Sequence, residues 1–107
     1  MTTFEDRERA EEAKFAHDEE MHFRIHARRN RLLGAWAAER MGLSAVEGEA
    51  YAREVVQADF EEAGDEDVVR KLLGDLTAAG VEIEETEIRI ALDDKLVEAR
   101  RALMGEV

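Results

Sequence analysis

From Phe4 to Gly42 the chain reads FEDRERAEEAKFAHDEEMHFRIHARRNRLLGAWAAERMG, an almost unbroken run of helix-forming residues. No proline occurs anywhere in the 107 residues, so no position carries the ring that ends a helix interior. Within this run the charge changes sign. Between Glu5 and Glu20 the acids Glu5, Asp6, Glu8, Glu11, Glu12, Asp18, Glu19 and Glu20 face only Arg7, Arg9 and Lys14, whereas Arg24, Arg28, Arg29, Arg31 and Arg40 dominate from Met21 to Arg40. The first half has only Phe4, Phe15 and small alanines to bury. A helix that polar is weakly docked or unstable alone, and such segments gain order on a partner. The expectation is a labile N-terminal helical arm over residues 1–20, detachable from a bundle over 21–107.

Charged residues make up 39% of the chain and the formal net charge is -12. Abundant Ala, Glu, Arg and Leu without proline point to an all-α protein, one small domain with a modest core. Such acidity argues against nucleic acid, whose phosphates need a basic surface. The absence of cysteine excludes a disulfide framework and fits a reducing compartment. No apolar run is long enough to span a bilayer, so direct membrane insertion is not expected and the default location is cytoplasmic.

Helix ends are marked by local chemistry. Gly42, Gly64 and Gly80 each follow a helical pattern, where glycine takes the left-handed conformation that closes a helix. Ser44 and Glu47 have capping-box spacing, and Asp65 is placed to cap the next helix with Glu66 and Asp67 in its first turn. Thr2 with Glu5 suits the first helix, and Asp18 would start a second one if the arm breaks there. Four apolar stripes follow helical spacing: Phe23, Ala27, Asn30, Gly34, Ala37 and Met41, widened by Leu33 and Trp36; Ala52, Val55, Val56, Phe60 and Ala63; Val68, Val69, Leu72, Leu73, Leu76 and Ala79; and Ile88, Leu92, Leu96, Ala99 and Leu103. Val81 to Ile83 alternates and reads as a short extended link. Short links between long helices favour antiparallel neighbours, hence a four-helix bundle.

The blocks DRERA (Asp6 to Ala10), EAKFAHDEE (Glu12 to Glu20), ARRNRLLGAWAAE (Ala27 to Glu39) and YAREVVQADFEEAGDEDVVRK (Tyr51 to Lys71) resemble the zeta-type ATPase inhibitor subunits of alphaproteobacterial F-type ATP synthases. The resemblance covers most of the chain up to about Lys71; beyond Val81 only helical character is shared. It implies a small helical bundle that binds the catalytic head of the synthase. In such inhibitors the N-terminal segment enters an interface between alpha and beta subunits beside the rotating gamma subunit, and blocks ATP hydrolysis more than synthesis. Carried over, the inhibitory segment is Phe4 through Phe15, with Phe4, Glu5, Asp6, Arg7, Arg9, Lys14 and Phe15 as partner contacts and residues 21–107 as the anchor. The implied location is cytoplasmic, held at the inner membrane through the synthase. Where the family commonly has an aromatic residue after the first block, this chain has Glu11. A carboxylate there removes buried area from an interface, so the resemblance implies the partner more firmly than the strength of inhibition.

Other chemistry finds less support. His22 and His26 share a helix face, and Glu19 with His22 has Glu-x-x-His spacing, but the second such motif that a di-iron bundle needs is missing, as is His-Glu-x-x-His. His17, His22 and His26 read as surface groups or as a pH-sensitive contact beside acids. Arg24, Arg28 and Arg31 are expected to balance the acidic segment carrying Glu61, Glu62, Asp65, Glu66 and Asp67. Paired acids have no nucleophile or pocket to work with, and no glycine loop for phosphate is present, so no catalytic residue, cofactor or metal is expected. Two readings compete with the inhibitor: a small bundle that senses a nucleotide or metal, and an assembly factor that binds the synthase with weak or no inhibition. Only the inhibitor reading makes use of the position and mixed charge of the arm.

Overall fold

The computed structural model describes residues 4–61 and 64–105, with side chains described for 18–59 and 64–105. Four helices follow one another: α1 (Phe4–Met41), α2 (Ala45–Glu61), α3 (Glu66–Ala78) and α4 (Glu85–Met104). Among the described residues there is no strand, and the fold is the expected all-α four-helix bundle. Its corners are closed as the local chemistry dictates. Gly42 and Gly80 take positive φ of 73° and 82°, a region that costs other residues strain. Ser44 and Glu47 form the reciprocal box that starts α2: the Ser44 N–H donates to Glu47 Oε1 at 3.0 Å and the Glu47 N–H to Ser44 Oγ at 3.2 Å. Hydrogen bonds from Ser44 hold the exposed Glu47 carboxyl below the usual range. The link 81–84 between α3 and α4 is neither helix nor strand, and Glu84 at its end is extended, with φ -106° and ψ 153°.

The core lies where all four helices converge. Leu33 and Ala37 of α1, Val55 of α2, Val68, Leu72 and Leu76 of α3, and Ile88 and Leu92 of α4 are buried, each of the larger ones contributing about 1.5–3 kcal/mol. Helix α1 packs against each of the other three. Its contact with α2 is tight: a methyl added at Gly34 would lie 2.7 Å from the Ala52 Cα. Helix α3 is tied to α2 through Tyr51, whose hydroxyl donates to Asp75 Oδ2 at 2.8 Å, and to α4 through Arg89 and Glu66 at 2.8 Å. Burial, with the Asp75 carboxylate beside it, pushes the Tyr51 phenol well above its ordinary value.

Two readings of the sequence change at α1. The helix passes through Asp18 without a break, so Asp18 starts nothing. Phe23, placed on the core stripe by spacing, is 53% exposed, while Ile25, Arg29 and Ala38 are buried instead. Asn30, Leu33, Gly34 and Ala37 of the expected stripe are buried, and the inward face extends toward the N-terminus along the four-residue line Ile25, Arg29, Leu33, Ala37 rather than to Phe23.

Candidate partner-binding site

Helix α1 contains 38 residues and extends about 57 Å at 1.5 Å per residue, close to the 65 Å long axis of the molecule. Its companions are shorter. Helix α4 runs antiparallel to it, with Glu87 at 3.5 Å from Arg40 near one end and Leu103 beside Phe23 and Ala27 at the other; Val56 of α2 reaches the same level. From Asp18 to Arg24 every side chain is exposed except the partly buried Met21, and burial begins at Ile25. The chain thus carries the N-terminal part of α1 past the end of its own core. The segment with the expected contacts Phe4, Glu5, Asp6, Arg7, Arg9, Lys14 and Phe15 belongs to this helix; those side chains lie outside the described ones, as does His17.

At the root of this projection sits a fully buried cation. Arg29 has 0% exposure, and its guanidinium donates to Asn30 Oδ1 from Nε at 3.1 Å and from Nη2 at 2.9 Å. Nη2 also lies 2.9 Å from Asp65 Oδ1 and 3.9 Å from Asp59 Oδ1. A buried charge demands such pairing, since desolvation without it is costly. The pairing pins α1 to the corner between α2 and α3. It also explains why Asp65 does not cap α3: its backbone is already helical and its side chain makes no cap hydrogen bond. The spacing argument assigned the balancing role to Arg24, Arg28 and Arg31. Arg24 instead pairs with Glu20 at 2.7 Å, one turn earlier, while Arg28 and Arg31 have no carboxylate partner among the described residues. Glu61 and Glu62 lie outside the described side chains. Arg29 was missed, although its place on the four-residue line through Ile25, Leu33 and Ala37 marks it as inward-facing.

One turn before Arg29, the His22 and His26 rings stack at 4.1 Å with a 41° tilt. Partial burial lowers the His26 pKa, and the Arg29 charge and His22 lower it further against the opposing pull of Asp65 and Asp59. Among the described residues no three histidines or carboxylates converge on a metal position. No helix there is long and apolar enough to cross a membrane.

A family model described as ATPase inhibitor subunit zeta matches residues 1–102. The chain belongs to that family. Membership makes it an inhibitor subunit, and an ATP synthase the assembly it serves. A relative solved in solution by NMR is 49% identical with a TM-score of 0.71, covering 81% of this chain and 99% of that one. No curated protein matches. As a zeta-family inhibitor, the protein joins a polar helical projection to a core that a buried ion pair locks at its root.

Proposed function

We propose that the protein is a non-catalytic regulatory subunit that binds the catalytic head of an F-type ATP synthase and inhibits ATP hydrolysis through its N-terminal segment. In this reading residues 21–107 anchor the subunit, while Phe4 to Phe15 enter an alpha–beta interface next to gamma. The subunit is then held at the inner membrane through the synthase. The observation that carries the reading is the overhang of α1. A 38-residue helix extends past companions that end beside Phe23, and from Asp18 to Arg24 its side chains are exposed except the partly buried Met21. A polar helix without an intramolecular companion is marginal in water and becomes ordered by packing on something else.

The test is deletion of the residues before His17. The shortened protein should keep its helical signal and cooperative melting but lose inhibition of ATP hydrolysis by the purified cognate synthase. A truncated protein that unfolds, or inhibits as well as the intact chain, refutes the division into arm and anchor.

A further inference from the structure

The overhang accounts for blocking but leaves open which surface of the bundle holds on. Helices α1 and α2 meet along small residues, with Gly34 against Ala52 and Gly48 against Ala38. Outside this seam runs a furrow. A hollow of about 700 Å³, floored by Ala35, Leu43, Gly48 and Ala52, adjoins a second of about 430 Å³ that ends at Phe23 and Leu103; both are lined by Arg31 and Leu32.

The charges along it are unusual for this chain. At a net charge of -12, basic side chains are greatly outnumbered, and most of the described ones sit on a carboxylate: Arg24, Arg29, Arg40, Arg70, Lys71, Arg89 and Lys95. Among the described residues those without a carboxylate partner include Arg28, Arg31 and Arg53, and all three line the furrow. The others, Arg100 and Arg101, lie within one turn of Leu103 at its end. Among the described residues, Arg28, Arg31 and Arg53 thus form a row of arginines without carboxylate partners along one largely apolar channel. Glu39 and Glu49 line the far end.

We propose that this furrow is the anchoring surface and that it receives an acidic amphipathic helix of the synthase head. The inference rests on the function proposed above. From Arg24 to Glu39 the channel runs about 22 Å, room for roughly four helical turns. A floor of alanine and glycine admits a third helix at ordinary packing distance of about 8–10 Å. The bound helix presents small apolar residues to Ala35 and Ala52, with acids toward Arg28, Arg31 and Arg53. Cations at its other end meet Glu39 and Glu49.

The experiment measures binding of full-length protein to purified cognate synthase for wild type, Arg28→Glu/Arg31→Glu, Ala35→Tyr and, as a control away from the furrow, Lys95→Glu. Melting curves establish that each variant folds. The charge reversal should weaken affinity at least about tenfold, mainly through slower association, and should flatten the salt dependence of binding. Ala35→Tyr fills the floor without changing charge and should weaken it through faster dissociation. Lys95→Glu should stay within about twofold of wild type, and with the arm intact every variant should reach full inhibition at saturation. Because the two furrow variants act by different physics, misfolding of one leaves the other to decide. Wild-type affinity in both overturns the furrow as anchor and leaves the proposed function standing. Loss of self-association in the variants with unchanged synthase affinity gives the furrow to a second copy and also overturns it. A wild-type protein that does not bind the synthase overturns both readings.

Discussion

At Gly34 and Gly74 the same substitution should have opposite signs. Both lie inside helices, where alanine is better by about 0.5–1 kcal/mol on conformational grounds. A methyl at Gly74 meets nothing within 4 Å, so Gly74→Ala should stabilise by that amount. A methyl at Gly34 would stand 2.7 Å from a backbone carbon of α2 and 3.2 Å from Val55 Cγ2, forcing the helices apart. Overpacking of that kind costs about 1–3 kcal/mol, so Gly34→Ala should be net destabilising. Urea denaturation of the two variants compares the signs directly, and stabilisation by both would mean that the seam yields freely. A second prediction concerns the buried cation. Asp65→Asn leaves Arg29 buried with its remaining carboxylate at 3.9 Å, at a cost of about 1–3 kcal/mol; that is less than for a fully enclosed pair because Asp65 is itself 43% exposed. Arg29→Met removes the charge and lets both acids turn to water but strips the buried Asn30 Oδ1 of its donor, so the double change Arg29→Met/Asn30→Leu, which removes donor and acceptor together, should cost less than Asp65→Asn. The reverse order of severity in denaturant midpoints would show that the ion pair is not what holds this corner.

Along α1 the density of burial changes within a single helix, and amide exchange should follow it. Protection should be weak from Asp18 to Arg24, where nothing is fully buried, and should approach the global unfolding limit at Leu33 and Ala37, which have zero exposure. Uniform protection along the helix would contradict the division of α1 into overhang and core. The elements themselves were readable from local chemistry. The Ser44–Glu47 box and the glycines at the corners act through neighbours in sequence, and the α3 stripe of Val68, Val69, Leu72 and Leu76 is buried as its spacing requires. On α1 spacing places Asn30, Leu33, Gly34 and Ala37 inward, where they are buried, but could not decide where the inward face begins. With Phe23 and Ile25 both apolar, the choice between them depends on where α2 and α4 lie, and it falls on Ile25. The partners of Arg29 were illegible for the same reason: Asp59 and Asp65 are 30 and 36 positions away in sequence and meet it only through tertiary folding. The family blocks made the partner legible, whereas nothing in them distinguished the furrow that the paired and unpaired arginines reveal.

For the molecule as a whole, one continuous helix joins the projection to the core, with the long axis of 65 Å more than twice either of the others, 29 and 25 Å. A helix is a screw as well as a rod. Each residue between the core and the tip advances the tip by about 1.5 Å and turns it by about 100°. The heading of the tip is therefore written in the residue count. One alanine inserted between Glu20 and Met21 should turn the Phe4 to Phe15 segment through more than a quarter revolution and abolish inhibition. Four alanines lengthen the rod by about 6 Å but return it to within roughly 40° of its original heading, and should do less harm than one. Inhibition assays on the one- to four-residue series would show an angular rhythm if the helix acts as a rigid spindle. A steady decline with length would mean that the tip finds its seat independently of how the bundle is turned.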